Sequence, residues 1–466
     1  MTRVVGPAAS AKTAVPGFVL LGVACLAAPA VVKNEGFVPF ADAPIHYRSQ
    51  ALSDPVARLE RRLERGETSL RFDRQYGYLP SVLAALHVPV SSQTLVFSKT
   101  SFQFPDIGPA APRALYFNDD VYVGRVQRGK FLEFVSFDPI QGAIFYVMDE
   151  ANAERPRFER AEVDCVQCHV AASTRGVPGV MMRSVFTRPT GYPATGKSFI
   201  TGQESPFSER WGGWYVTAKR GAELNMGNTT LSDATTGHVS SGPPQNLTSL
   251  AKYLDTKFYP AGTSDIVALL VLAHQTQMHN LITETNYRTR LALYAEEAKN
   301  KQAGLPPGTI SDAAREQIEA PAEQLVRYLL FTNEVRLAVP VEGTSSFAKD
   351  FAARGPRDAR GRSLRDFDLQ TRIFKYPCSY LIYSEDFDAI PALAKDYIYS
   401  RLYEILTGRD NSPEFASLSS EDRNAIFEIL VATKPGLPDE WKRVRTEGSS
   451  AGNIDRAQAR AVNRQP

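Results

Sequence analysis

The sequence has little cysteine and almost no net charge. Four cysteines in 466 residues are too few for a disulfide-stabilised scaffold, and two of them fall within one short motif. Lys and Arg number 53 against 51 Asp and Glu, which leaves a formal net charge of +2. This balance gives no sign of the basic surface that nucleic-acid binding requires, so we expect no nucleic-acid partner.

Long apolar runs are also missing, except near the N-terminus. There, residues 15–32 follow basic residues and end in small ones, a pattern typical of an export signal. The run is long for the core of a signal and short for a membrane span. Residues 1–32 are therefore predicted to be a cleaved export signal or an uncleaved N-terminal membrane tether, with cleavage favoured. A lipoprotein signal through Cys25 is less favoured, because Gly22 stands where a large aliphatic residue is expected.

The rest of the composition supports a folded core. Hydrophobic residues make up 43% of the chain and aromatic residues 10%, enough for one large domain or two unequal ones. Residues 50–66 are charged and have a helical pattern, which predicts a surface helix. Further stretches rich in β-branched and aromatic residues, separated by turn residues, predict an antiparallel β-meander. They are residues 114–119, 121–127, 131–137 and 143–149.

The second half of the chain has a different pattern. Residues 170–245 are rich in Gly, Pro and Thr and predict ordered loops with short strands. Apolar spacing and capping residues then predict helices at 264–301, at 311–337 with a kink at Pro321, at 392–406 and at 420–433. The predicted fold class is α+β, with the meander first and a helical C-terminal half. We divide the chain into residues 1–32, a β-rich region 33–245, a helical region 246–445 that packs on it, and a polar tail 446–466.

Residues 165–169 read Cys-Val-Gln-Cys-His. Two thiols three residues apart lie on one face of a helical turn, where they can form thioethers to the two vinyl groups of a haem, and the adjacent imidazole can reach the iron. Random placement of the cysteines and histidines would produce this pattern about 0.0004 times per chain. We therefore predict one haem c, attached through Cys165 and Cys168, with His169 as an axial ligand of the iron.

Two other uses of this motif stay open but are less favoured. A zinc site would need a further pair of Cys or His residues at short spacing, and the remaining ones are scattered. A thioredoxin-like redox pair usually follows a strand in a βαβ unit, whereas here a β-meander precedes the motif and loops follow it. Cys378 has apolar flanks and is expected to be a buried thiol without a chemical role.

The residue on the other side of the iron would decide its chemistry. A Met ligand favours electron transfer, a His lowers the potential, and a vacant position lets a small molecule bind. Met226, in ELNMGN, is one candidate for a distal ligand. His274 and His279 are others, but five residues apart on a helix they point about 140° away from each other, so at most one can face a haem. Each of these three side chains could instead be an ordinary core residue with no role at the iron.

Several blocks of the sequence resemble exported bacterial cytochrome c domain-containing proteins, a family with a single CxxCH motif and no assigned activity. The blocks are PRALYFNDDVYVG (112–124), DCVQCHVAASTRGVPGVMMRSV (164–185), SPFSERWGGWYVT (205–217), AHQTQMHN (273–280) and YPCSYLIYS (376–384). The resemblance implies haem attachment at Cys165, Cys168 and His169. Similar proteins often have His directly before Met-Gly-Asn, where this chain has Asn225, so the distal ligand stays open.

Taken together, the sequence predicts an electron-transfer protein with one covalent haem. We expect it in the periplasm or on the outer face of the cytoplasmic membrane, with redox proteins of the cell envelope as partners. A plain electron carrier needs only about a hundred residues, a typical domain size, so the extra length motivates one main alternative. This alternative is a haem oxidoreductase that acts on a small substrate or peroxide at an open iron position. A third class of function is a haem-based sensor without turnover.

Overall fold

An antiparallel sheet of seven strands forms the centre of the N-terminal half. The computed structural model describes residues 37–222, 225–231 and 246–442. The strands are β1 Thr94–Val96, β2 Arg113–Phe117, β3 Val121–Arg125, β4 Phe131–Asp138, β5 Gly142–Asp149, β6 Glu159–Arg160, β7 Arg183–Thr187, β8 Pro193–Ile200 and β9 Trp214–Tyr215. Their order in the large sheet is β6-β5-β4-β3-β2-β1-β9, and β7 pairs with β8 in a separate hairpin. The predicted meander is therefore confirmed as β2 to β5.

Helices dominate the C-terminal half, as predicted. Three helices of the described part of the chain lie in the N-terminal half, namely α1 Pro55–Glu64, α2 Leu79–Ala85 and α3 Glu162–His169. The C-terminal half contains α4 Ile266–Ala303, α5 Asp312–Leu329, α6 Phe347–Ala353, α7 Glu385–Asp388, α8 Ala392–Leu406 and α9 Ser420–Thr433 among the described residues. Helix α4 begins at its predicted cap, where the Asp265 carboxylate accepts a hydrogen bond from the backbone N–H of Val267. Helix α5 ends earlier than predicted, since Phe331 has a left-handed φ of 56°. These elements confirm the α+β class.

One face of the sheet is fully buried. The register aligns Tyr116, Val123, Phe134 and Tyr146 side by side on β2 to β5, and all four are buried. Helices α1 and α2 supply apolar side chains to the same core, among them Val56, Leu59, Leu79 and Val82. Because alternate residues of a strand point to opposite faces, the neighbours of these four residues lie on the other side of the sheet.

The other face is covered over only part of its length. Near the β2–β3 and β4–β5 turns α4 packs on it, and the ring of His279 stacks on Phe137 at a centroid distance of 3.8 Å. Toward the opposite end, the apolar side chains of Leu115, Val135 and Val147 are only half-buried. We call these three residues, together with Gly124 and Glu133, which the register places between Leu115 and Val147, the open sheet end.

The β4–β5 turn fixes α4 against the sheet. Gly142, the first residue of β5, has a φ of 68°, and a Cβ there would lie 2.5 Å from the Thr283 methyl group on α4. The Tyr287 hydroxyl, one turn further along α4, donates to the backbone carbonyl of Gln141 at 2.8 Å. A glycine is therefore required at position 142 both by its backbone conformation and by the close approach of the helix.

The described residues belong to one compact unit, in which the sheet and α4 share a core. Within that part of the chain, no helix combines the length and the apolar character needed to cross a membrane. The predicted export signal or tether at 1–32, with Cys25, and the predicted polar tail at 446–466 lie outside the described residues.

Candidate functional site

Helix α3 contains the Cys-Val-Gln-Cys-His motif. The helix starts at the edge of the sheet, where the N–H of Ala161 donates to the carbonyl of Phe145 at 3.0 Å. Cys165 and Cys168, one helical turn apart, lie on the same side of α3, and both are free thiols. Cys165 is half-buried against the core, whereas Cys168 is exposed. The two sulfur atoms can therefore be approached together from outside.

The His169 ring, at the end of α3, is held by one specific hydrogen bond. Its Nδ1 lies 2.8 Å from the carbonyl oxygen of Gly179, and the N–H of Gly179 donates back to the carbonyl of His169 at 3.0 Å. Because a carbonyl can only accept, Nδ1 carries the proton. Burial lowers the pKa of His169, which favours the neutral ring. Its Nε2 then carries a lone pair, and this nitrogen makes no hydrogen bond to any described residue.

Asn280 on α4 fixes the segment that holds His169. Its side-chain oxygen accepts from the N–H of Val180 at 3.0 Å, and its amide nitrogen donates to the carbonyl of Val180 at 2.7 Å. The side chain packs so close to Gly179 that a Cβ on that residue would lie 3.0 Å from the Asn280 Cγ and even closer to its Oδ1. The carbonyl that orients His169 is therefore set by a glycine and by a side chain about 100 residues further along the chain.

A charged pair lies beside the motif, at the open sheet end. Arg113 on β2 forms an ion pair with Glu133 on β4, and its side chain crosses over Gly124, where a Cβ would lie 2.5 Å from the guanidinium. Burial raises the pKa of Cys165 to about 11, and the nearby charge of Glu133 adds to this effect. The same two charges act on the pKa of His169. The Cys165 thiol and the His169 ring thus share one electrostatic environment with this pair.

His274 lies in the core, and both of its ring nitrogens are hydrogen-bonded. Nδ1 donates to the side-chain oxygen of Gln203 at 2.7 Å, and Nε2 accepts from the Ser379 hydroxyl at 2.8 Å. The ring stacks on Phe331 at 4.4 Å. Burial lowers the pKa of His274 to about 3, so the ring is neutral. Its one lone pair is taken by Ser379.

His279 is also buried, but its ring is charged. Nδ1 lies 2.9 Å from the Asp386 carboxylate and Nε2 lies 2.7 Å from the carbonyl oxygen of Asp119, so both nitrogens face acceptors and both carry protons. Burial alone would lower the pKa of His279, but the Asp386 charge and hydrogen bond raise it above the ordinary value. Neither His274 nor His279 has a lone pair free, and the arrangement gives no support to a distal-ligand role for either.

Met226 packs beside β7. Its sulfur accepts from the Ser184 hydroxyl at 3.6 Å, and the side chain is buried. Trp211 and Trp214 are buried in the core shared with α4. The prediction that Met226 binds iron stays a prediction. Cys378 is fully buried, as the apolar flanking sequence indicates.

The described residues contain no group of three or more His, Cys, Asp or Glu side chains that could hold a metal ion. Haem needs no such group, because its four ring nitrogens bind the iron and one imidazole suffices from the protein. The chain matches no known protein family, no curated protein and no solved structure. Any function assigned to this site must therefore be argued from the geometry of its residues.

Proposed function

We propose that the protein is a c-type cytochrome of the bacterial cell envelope, which carries one haem on Cys165, Cys168 and His169 and transfers electrons to and from redox partner proteins. The observation that carries this proposal is the hydrogen bond from His169 Nδ1 to the carbonyl of Gly179. Histidines that bind a metal typically donate their second ring N–H to a carbonyl or carboxylate, which fixes the ring and directs the lone pair outward.

The residues of the motif fit a covalently bound haem. Two free thiols at i and i+3 match the two vinyl groups of a haem, and the next residue is a neutral imidazole with an available nitrogen. A zinc ion would also suit a held His169 ring, but it needs several protein ligands, and the described residues contain no group of three or more that could hold it. A thioredoxin-like exchange would use the same cysteines but would not require the ring of His169 to be held in this way. When bound, haem would supply reversible exchange of one electron.

The chain itself would perform three tasks at this site. Cys165 and Cys168 would anchor the group by covalent bonds, so that it is kept in an exported protein. His169 would bind the iron through Nε2. Gly179 and Asn280 would keep the imidazole at a fixed angle, which limits the rearrangement that accompanies a change of oxidation state.

The proposal is tested by producing the full chain in a bacterial host with an intact cytochrome c maturation system. The purified protein should keep a red, haem-staining band on a denaturing gel, and its pyridine haemochrome spectrum should report one haem per chain. The double variant Cys165→Ser/Cys168→Ser should lose the covalent haem, whereas Cys378→Ala should keep it. A colourless wild-type band would overturn the proposal.

An oxidoreductase with an open iron position is a second candidate. It is favoured by one observation, namely that His274 and His279 are both fully engaged in hydrogen bonds inside the protein. Rapid binding of carbon monoxide to the reduced protein would support this function. A six-coordinate iron that does not react, and that becomes reactive in Met226→Ala, would support the electron carrier with Met226 as its distal ligand.

A further inference from the structure

The apolar side chains of the open sheet end are less deeply buried than those on the reverse side of the same strands. Leu115, Val135 and Val147 are half-buried, whereas the residues behind them are fully buried. In an antiparallel sheet, a face in contact with water usually has polar side chains. Covering the exposed parts of these three side chains with a further apolar group would therefore be favourable.

This surface borders the haem-attachment motif. Cys165 and Val166 on α3 pack against the core to which Leu115 and Val135 also belong, and the His169 ring lies 5.0 Å from that of Phe145 on β5. The charges of Glu133 and Arg113 act on the Cys165 thiol, so a flat apolar group tethered at Cys165 would lie beside this end of the sheet. The β-strands place one ion pair, Arg113 with Glu133, on the same surface.

Arg113 has donor capacity that the protein does not use. One of its terminal nitrogens binds Glu133, but its Nε is buried and has no hydrogen-bond partner. Glu133 also accepts a hydrogen bond from the side chain of Gln103 at 2.9 Å, so its carboxylate is shared. A buried guanidinium nitrogen without an acceptor costs free energy, and a planar carboxylate suits the fork of an arginine.

We propose that Arg113 binds a propionate carboxylate of the haem, which packs beside Leu115, Val135 and Val147. The inference rests on the function proposed above. It follows from three facts together: these apolar side chains are only half-buried, the motif lies beside them, and Arg113 on the same surface has a buried donor without a partner. The propionates are the only charged groups that the porphyrin carries, so they are the acceptors that a haem can offer to Arg113.

The test compares Arg113→Gln with Arg113→Lys and with a control on the opposite face of the sheet. Arg125 on β3 pairs with Glu150 at 2.8 Å, and these side chains are 11% and 12% exposed, close to the 19% and 13% of Arg113 and Glu133. Resonance Raman spectra of the holoprotein report the propionate bending band. We expect this band to shift in Arg113→Gln, to shift less in Arg113→Lys and to stay unchanged in Arg125→Gln.

The reduction potential gives a second readout. Removing a positive charge beside the haem should favour the ferric form by about tenfold, which lowers the potential by about 59 mV for one electron. A propionate band that is the same in Arg113→Gln and wild type would overturn the inference, even if the potential falls. Should Arg113→Gln not fold, an unshifted band in Arg113→Lys would overturn it. A wild-type protein without haem would instead refute the proposed function itself.

Discussion

The contact between Gly179 and Asn280 provides a sharp test of how the motif is positioned. In Gly179→Ala, the added methyl group would occupy the space of the Asn280 side chain. The side chain would have to move and give up its two hydrogen bonds to Val180, which measure 3.0 and 2.7 Å. Each buried backbone group left without a partner costs about 1–3 kcal/mol, so the free energy of unfolding should fall by about 2–6 kcal/mol.

Asn280→Ala removes the same two hydrogen bonds and should have a similar cost. Because both substitutions break one interaction, their effects should not add. In the Asn280→Ala background the clash with Asn280 is gone and a 3.2 Å approach to the Thr174 Cβ remains. Gly179→Ala should therefore cost only about 1 kcal/mol more, since the hydrogen bonds of Asn280 are already lost. Unfolding by guanidinium chloride of the wild type, both single variants and the double variant, followed by circular dichroism, gives the four free energies.

The outcome that refutes this reasoning is additivity. If the double variant loses the sum of the two single losses, then Asn280 and Gly179 act independently and the contact does not fix the His169 carbonyl partner. In the holoprotein, both single variants should also broaden the absorption bands of the haem, because the imidazole would no longer be held at one angle.

Three further predictions concern the core. Asp386→Asn should lower the free energy of unfolding by about 3–5 kcal/mol between pH 3.8 and 6.5, the ordinary pKa values of Asp386 and His279. The loss should shrink as the pH rises through the raised pKa of His279, because the stabilisation from its protonation disappears there; a loss independent of pH in urea titrations would contradict this. Gly142→Ala should cost about 1–3 kcal/mol more than Gly66→Ala, since both glycines have a φ of 68° but only the first would place its Cβ against α4. Equal thermal unfolding midpoints for Gly142→Ala and Gly66→Ala would show that α4 moves to accommodate the added methyl group. Burial raises the pKa of Cys378 far above the ordinary value, so iodoacetamide should leave it unlabelled in the native protein, as read by peptide mass spectrometry.

The sequence was sufficient for the elements with strong local signals. The meander and α4 have clear spacing, turns and caps, and their positions were predicted to within a few residues. Strand β1 was not predicted, and β9 was not located among the short strands expected at 170–245. Two or three residues contain too little pattern, and these strands pair only through distant contacts. The location of α3 followed from the motif itself.

The partners of the site could be predicted only in part. Cys165, Cys168 and His169 stand together in the sequence, but the residues that position them are far apart along the chain. Asn280 directly follows His279, and nothing in the local pattern distinguishes its role from that of the histidine beside it. The two candidate histidines illustrate the same limit, because hydrogen bonds to Ser379 and Asp386 decide their chemistry and these depend on the tertiary fold.

The contacts of helix α4 restrict how the helix can move. Within seven residues it contacts three separate parts of the molecule: His274 reaches the C-terminal segment at Ser379, His279 reaches the sheet at Phe137, and Asn280 reaches the motif loop. A rotation of the helix about its axis cannot relax one of these contacts without breaking the other two. The orientation of the helix is thus fixed at three points, and we expect a substitution at Ser379 or Phe137 to shift Asn280 and the segment around the cysteines as well.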